Sequence, residues 1–336
     1  MRRFWSADNL MSHSAQLLGI SNAIVDVLAH VEHEFLEDIG AVPGSMTLID
    51  KEQARDLYAK MGPATEMSGG SVANTVAGFA NLGGTAAYIG KVRADQLGTI
   101  FNHDMRSLGV DIRLKAAADG APTARSHVLI TDDGQRTMQT YLGACLELAI
   151  ADITAETVGA PKAMLLEGYV WDIAEGPALA KKAAEIGRTN GTTVALSLSD
   201  SFCVERHRDS FLDFVRNDAD IIVADEEEVY ALLGTPSIDE ALEALKDYDN
   251  LFAITRSEQG SVIVHKDETV IQPASKVEQI VDTTGAGDAY SAGFLYGWAN
   301  GKSLADCARY GTHCATMVIQ QLGARIEPGL LDDFDA

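Results

Sequence analysis

Positive charge is scarce in this sequence: 26 Lys and Arg stand against 49 Asp and Glu, for a net charge of −23 at neutral pH. A surface this acidic repels DNA, RNA and anionic lipid, so neither a nucleic-acid partner nor a membrane is expected. A negatively charged ligand would have to be held locally, by a few cations and backbone N–H groups. Cysteine is sparse too. Cys145, Cys203, Cys307 and Cys314 form no CxxC unit, and no His or Cys pair is read at ligand spacing. Reduced thiols of a cytoplasmic protein are therefore expected, rather than disulfides or zinc. No apolar run nears the roughly 20 residues that a membrane-spanning helix requires. The opening MRRFWSADNLMSHSAQ is basic but lacks the apolar stretch of a secretory signal. Residues 1–15 are read as a loose lead-in, with Met11 as an alternative start.

What is present is the balance of a folded globular chain, 46% apolar and 22% charged. The 336 residues suffice for one large domain or two ordinary ones. From Lys162 onward, short apolar runs (Ala163–Leu166, Thr193–Leu198, Asp220–Ala224, Leu251–Thr255) alternate with helical patterns at Gly176–Thr189, His207–Asn217, Glu226–Leu233 and Ile238–Leu245. Such alternation predicts a parallel sheet with helices on both faces. Gln16–Ser21 and Thr85–Ile89 read as further strands, and Ser71–Leu82 as a helix closed by Gly83-Gly84. Two stretches break the rhythm: Ala23–Val31 with Ser45–Ile49, and Ala124–Thr131 with Arg136–Leu142, both read as antiparallel pairs. Asp132-Asp133-Gly134 supplies a hairpin turn for the second. These strands form either a small separate sheet, as in a lid, or an extension of the main sheet's edge. Ala286–Asn300 and Ser303–Gln321 read as two consecutive helices.

The most informative stretch is Asp282-Thr283-Thr284-Gly285-Ala286-Gly287-Asp288, between the strand-like Lys276–Val281 and the apolar helix Ala289–Trp298. Two glycines a residue apart let the backbone turn tightly and leave the helix start uncovered. Free N–H groups and the positive end of the helix dipole then face whatever lies there, an arrangement suited to a phosphoryl group in transfer. Asp288, in the first helical turn, either stabilises the helix or points into a cleft as a base. The chain has no GxxxxGK[ST] loop, and Tyr290 stands where a dinucleotide fingerprint needs its third glycine.

The full segment Val281–Phe294, VDTTGAGDAYSAGF, resembles the C-terminal signature of the ribokinase-like (PfkB) carbohydrate and nucleoside kinases. Four more segments extend the resemblance in the right order. Gly19-Ile20-Ser21-Asn22 through Asp26 resembles the first strand with its substrate aspartate, and Gly69-Gly70-Ser71-Val72-Ala73-Asn74 the N-terminal signature. Asp225-Glu226-Glu227-Glu228 falls where the family carries NxxE, and Thr255–Gly260 where it carries a nucleotide-binding turn. The resemblance implies an α/β fold: a mostly parallel central sheet with helices on both faces, plus a small β-sheet lid. Residues 16–336 would form one kinase domain, with the lid from about 23–50 and 122–144. It also implies a phosphotransferase with an alcohol acceptor, using ATP and Mg2+ and, in some relatives, K+.

Carried over residue by residue, the resemblance makes Asp288 the general base toward the acceptor hydroxyl. Backbone N–H groups of Gly285, Ala286 and Gly287 would cradle the transferred phosphoryl. Glu228, with Asp225 in place of the usual asparagine, would hold Mg2+ through water; the same spacing equally fits a helix N-cap with a capping-box acid. Thr255, Arg256, Ser257 and Gly260 would contact the nucleotide, with Ser257 standing where many relatives have glycine. Asp282 and Thr284 would hold the monovalent cation. Asn22, Asp26, Gly69, Gly70 and Asn74 would clamp the sugar hydroxyls.

Asn22-Ala-Ile-Val-Asp26 and Arg136-Thr-Met-Gln-Thr-Tyr-Leu-Gly-Ala144 look more like the adenosine kinases than the ribokinases or fructokinases. That points to adenosine as acceptor, giving AMP. The alternatives are a free sugar such as ribose, fructose or a keto-deoxy sugar acid, or a binding relative without catalysis. Tyr141, Tyr169 and Trp171 either stack on a base or belong to the core. Arg136 either reaches the phosphates as the lid closes or is a surface hairpin residue. Monomer and homodimer both remain open.

Overall fold

The computed structural model describes residues 15–277, 279–332 and 334; the expected lead-in therefore falls, but for Ala15, outside the described residues. Strands follow in chain order as β1 (Leu17–Ile20), β2 (Ile24–His30), β3 (Met46–Leu48), β4 (Thr65–Gly69), β5 (Ala86–Ile89), β6 (Asp111–Ile112), β7 (Ala124–Ile130), β8 (Arg136–Tyr141), β9 (Ala163–Glu167), β10 (Thr193–Ser197), β11 (Ile221–Asp225), β12 (Leu251–Thr255), β13 (Ser261–His265) and β14 (Glu268–Gln272). Nine build one sheet in the order β14-β13-β12-β11-β10-β9-β1-β5-β6. Its pairings are parallel from β6 to β12 and antiparallel only at the β12–β13–β14 edge. The central strands are buried on both faces, which is why they read as unbroken apolar runs rather than alternating ones. Leu18, Ile20, Met164, Leu166 and Leu196 pack on one side, and Leu17, Ala163, Leu165, Ala195 and Val223 on the other. Among the described residues no helix is long and apolar enough to cross a membrane.

The other five strands form a second, smaller sheet in the order β3-β8-β7-β2-β4. β7 and β8 are the expected hairpin, closed by Gly134 N–H on the Thr131 carbonyl at 2.8 Å. The pairing expected between Ala23–Val31 and Ser45–Ile49 does not occur. β2 instead lies between β4, antiparallel, and β7, parallel, while β3 joins the far edge beside β8. Thr65–Gly69 carries little apolar signal, so a long-range pairing invisible to local pattern decides the order. The ladder sorts the side chains. Val25, Val27, Ser68 and Leu129 face one way, toward the Gln96–Ser107 helix. Asp26, Leu28, Met67, Ser126, Val128, Arg136, Met138, Thr140, Met46 and Leu48 share the opposite face.

Two further expectations are corrected. Lys276–Val281 joins no sheet among its described residues: Val281 and Asp282 donate their N–H groups to the Ile319 carbonyl, and Ile280 and Val281 are exposed. The helix expected from His207 begins at Ser201, capped by Asp200, and His207 is a kink within it (φ −120°, ψ 19°). That earlier start puts Cys203 and His207 four apart on one helix. With Asp172 they bring three donor atoms within 4.8 Å of one another, a grouping the sequence reading overlooked. Both Asp172 oxygens are already occupied, by His207 at 2.7 Å and Arg206 at 2.8 Å.

Candidate active site

The ends of the parallel strands, where ligands bind in open α/β sheets, bring together most of the residues singled out above. Asn22 follows β1, Glu167 ends β9, Asp225 ends β11 and Thr255 ends β12. Helix Ala286–Ala299 points its N-terminus at this edge. Gly285 takes φ +74°, and a Cβ there would lie 2.3 Å from the Ala324 Cβ, so the turn needs glycine. Nothing lies within 4 Å of a Cβ built on Gly287, leaving the helix start open on that side.

Asp288 is fixed by helix Ser71–Asn81. Its Oδ1 accepts from Ser71 Oγ at 2.7 Å and its Oδ2 from Asn74 Nδ2 at 3.1 Å. Burial pushes its carboxyl up to about 6, against the lowering effect of Ser71, Asn74 and Arg325. Asn74, expected on the sugar, thus reaches Asp288 instead. Asp26 on β2 lies against Gly69, where a Cβ would meet its Oδ2 at 2.2 Å. Burial raises Asp26 to about 6 as well, and Arg325 and then Arg136 oppose the shift. Asn22 is buried, and its Oδ1 has no hydrogen-bond partner among the described residues, leaving an acceptor for an incoming hydroxyl.

Arg136 leaves the small sheet to form an ion pair with Asp282 at 2.7 Å, with side chains 8% and 4% exposed. Asp282 also accepts from Thr284 N–H at 3.0 Å and Gly323 N–H at 2.9 Å. Oδ2 thus takes Arg136 and the Gly323 N–H, and Oδ1 the Thr284 N–H alone. Asp225 and Glu228 form the reciprocal capping box: Glu228 N–H donates to Asp225 Oδ1 at 2.8 Å, and Asp225 N–H to Glu228 Oε2 at 2.9 Å. Glu228 is buried and raised to about 8, by burial first and then by Asp225. In the turn between β12 and β13, the Arg256 side chain pairs with Glu226 at 3.3 Å and its backbone N–H donates to the Gly260 carbonyl. Ser257 takes φ +47°, the left-handed region that glycine prefers. Ser257→Gly should therefore stabilise the fold by about 1 kcal/mol, readable as a higher midpoint in urea.

Of the three aromatics considered for a base, Tyr169 is half-buried beside Glu167 and Glu228. Trp171 is core, stacked on Phe211 at 4.5 Å with its Nε1 donating to Ser210. Tyr141 pairs with Arg125 on the far face of the small sheet. The apolar surface near the cluster comes instead from Met46, Leu48, Met67 and Met138, on the same sheet face as Asp26 and Arg136.

Sequence reading missed two charged residues. Glu167, 1% exposed, accepts from Asn22 N–H at 2.8 Å and Val72 N–H at 3.2 Å, tying β1 to the Ser71–Asn81 helix. A single acid closing the apolar run Ala163–Leu166 was its available signal. Burial raises Glu167 to about 7 against those two N–H donors. The sign follows: its contribution is complete below the ordinary carboxylate value and is lost as pH rises through about 7. The ligand-free protein should lose thermal stability from pH 5 toward 8, and Glu167→Gln should flatten that slope in a pH series of melting curves. Arg325, in the loop after helix Leu304–Val318, is the second, and no motif marks it.

Surface depressions of about 560 Å³, beside Lys162 and Trp298, and about 410 Å³, beside Arg188 and Arg216, open at the opposite ends of the strands and include none of these groups.

Comparison with known proteins agrees with this geometry. Residues 39–329 match the pfkB family carbohydrate kinases. The chain is 46% identical to a solved structure of adenosine kinase from Sinorhizobium meliloti, with a TM-score of 0.88 over 96% of this chain and 100% of that one. A probable sugar kinase from Rhizobium etli is 44% identical, with a TM-score of 0.87 over 96% and 98%. A 5-dehydro-2-deoxygluconokinase from Clostridium perfringens is 26% identical over 75% of this chain and 78% of its own length. A helix start bearing Asp288, a glycine turn and a second sheet over the strand ends are thus set in a chain that belongs to the pfkB family of carbohydrate kinases, phosphotransferases acting on a hydroxyl group.

Proposed function

We propose that the chain transfers the γ-phosphoryl group of ATP to the 5′-hydroxyl of adenosine, giving AMP and ADP. The observation that carries the nucleoside assignment is the apolar row Met46–Met138–Val128–Leu28 across the small sheet, with Leu48 beside Met46 and Met67 beside Asp26. It lies on the face that also bears Asp26 and Arg136, so one surface offers a ribose clamp, a cation and a polarizable bed for a flat base. The 46% identity to an adenosine kinase supports the same reading.

In this reading Asp26 and Asn22 hold the ribose hydroxyls, and Gly69 lets the backbone approach the sugar. Asp288 takes the 5′-hydroxyl proton as that oxygen bonds to the γ-phosphorus and the bond to the β,γ-bridging oxygen of ATP breaks. A carboxyl near 6 is ionised at neutral pH yet basic enough to accept the proton. Backbone N–H groups at Gly285 and Gly287 meet the equatorial oxygens, whereas the Ala286 N–H closes the turn on the Thr283 carbonyl at 3.2 Å. Arg136, whose Nε has no hydrogen-bond partner among the described residues, exchanges Asp282 for phosphate as the small sheet closes like a lid. Asp225 and Glu228 suit a hydrated Mg2+, being two carboxylates at one helix start with Asp200 adding to the negative field. When bound, the ion neutralises phosphate charge. Thr255–Gly260 would take the adenine side of ATP.

An acidic acceptor fits less well. Asp26, Asp104, Asp288 and Glu167 surround the acceptor region, against Arg325 and an Arg136 already paired to Asp282. A free neutral sugar remains the second reading, favoured by the sugar-kinase names among the relatives. The test is a panel with ATP and Mg2+ comparing kcat/KM for adenosine, other nucleosides, ribose, fructose and keto-deoxy sugar acids. Adenosine should lead. Turnover of a free sugar with none of adenosine would overturn the assignment.

A further inference from the structure

Arg325 belongs to none of the segments that resemble the family, yet the fold delivers it to the centre of the site. Its loop is held in register at three points. Gly323 N–H donates to Asp282 at 2.9 Å, Asn81 Nδ2 donates to the Ile326 carbonyl at 2.8 Å, and Ala324 packs against Gly285. From there the guanidinium reaches β4, where Nη2 bonds to the Ser68 carbonyl and, at 2.6 Å, to Ser68 Oγ. Ser68 immediately precedes Gly69-Gly70, so this contact fixes the turn that borders the acceptor.

The first carboxylate partner of Arg325 is Asp104, ahead of Asp26 and Asp288. Asp104 Oδ2 is 3.8 Å away and already accepts from Ser68 N–H at 2.8 Å and Ser68 Oγ at 2.5 Å. The nearby carboxylates left over are Asp26 and Asp288, and Arg325 is the foremost cation acting on each. Its Nη1 is buried with no hydrogen-bond partner among the described residues. A shielded guanidinium with an unused donor is costly unless something completes it.

We propose that Arg325 is a positioning residue of the transfer site: it fixes the Ser68-Gly69-Gly70 turn through Ser68, places a positive charge beside Asp26 and Asp288, and offers its free Nη1 to an oxygen of the bound acceptor. This rests on reading Asp288 as the base. The groups facing Asp288 are Ser71 and Asn74 from helix Ser71–Asn81, Arg325 from its loop, and the acids Asp26, Glu167 and Glu228. Among them only Arg325 opposes the three acids with charge, so its removal should make Asp288 harder to ionise.

The experiment compares wild type, Arg325→Gln and Arg325→Lys by the pH profile of adenosine phosphorylation. It also follows the carboxyl titration of Asp288 by NMR of 13C-carboxyl-labelled aspartate, assigned by the signal missing from Asp288→Asn. For Arg325→Gln the acidic limb of kcat/KM and the Asp288 titration should both move up by about one pH unit, with a raised KM for the acceptor. Arg325→Lys should return the limb but not the KM, because lysine restores charge without the planar fork. A loss of activity uniform across pH, with the Asp288 titration unmoved, would overturn the proposal; so would a lysine variant no better than glutamine. If wild type phosphorylates no acceptor at all, the functional reading fails, while the NMR titration still decides whether Arg325 governs Asp288.

Discussion

Asp288→Asn is expected to lower kcat by about 10²–10⁴-fold while leaving the fold intact. The amide matches the carboxylate in shape and can still accept from Ser71 Oγ, so the Ser71–Asn81 helix keeps its contact with helix Ala286–Ala299. What is lost is the acceptor for the hydroxyl proton. Stability should move the other way at alkaline pH. The folded-state value of about 6 lies above the ordinary 3.8, so an ionised Asp288 opposes folding once pH exceeds that value. A neutral side chain avoids this, and the variant should melt no lower than wild type at pH 8. For wild type, kcat/KM should rise through about pH 6 as Asp288 ionises and then level off. Steady-state kinetics over that range, with melting curves on the same samples, check both signs. A variant that keeps wild-type turnover would remove Asp288 from the chemistry.

Gly285→Ala carries the second large effect, by a different route. Alanine at φ +74° costs about 1–2 kcal/mol in the backbone. Its methyl group would also stand 2.3 Å from the Ala324 Cβ, and the contact is relieved only if the turn or the Gly323–Ile326 loop moves. In the proposed function, either movement takes the N–H groups of Gly285 and Gly287 off the transferred phosphoryl. Losing one such donor lowers kcat by about 10²–10³-fold elsewhere, and a comparable loss is expected here. The Ala324 partner offers a control. Gly285→Ala combined with Ala324→Gly removes the 2.3 Å contact but leaves the residue 324 Cα at 2.9 Å and the φ strain, and should regain only part of the activity.

The main sheet was legible because its strands are short apolar runs separated by helical periods, and a strand buried on both faces announces itself by composition. Its antiparallel edge, β13 and β14, was not read, being one more hairpin in a region dominated by the glycine turn. The small sheet was legible as a set of strands but not as an order. β2 finds its partners 37 to 100 residues away along the chain, and β4, with the sequence TEMSG, carries almost no apolar signal of its own. The candidate site divides in the same way. Asp288, the glycine turn, Asp26 and Gly69-Gly70 sit in local motifs whose spacing reflects backbone geometry, and the fold brings them together. Glu167 and Arg325 act at a distance: their partners Asn22, Val72, Ser68 and Asp26 lie more than 90 residues away and leave no local trace. Residue type alone left Trp171 and Tyr141 open between a stacking role and the core. Burial against Phe211 removes the first from the cleft, and strand alternation turns the second away.

The central claim is that a carboxylate at a helix start and the inner face of the small sheet together hold a nucleoside for phosphorylation. A structure of the complex with adenosine and a non-hydrolysable ATP analogue tests it most directly. The account places the 5′-oxygen within about 2.6–3.2 Å of Asp288, the ribose hydroxyls on Asp26, and the adenine ring against Met46, Leu48 and Met138. Adenosine bound away from that stripe, or with its 5′-oxygen beyond reach of Asp288, would contradict it.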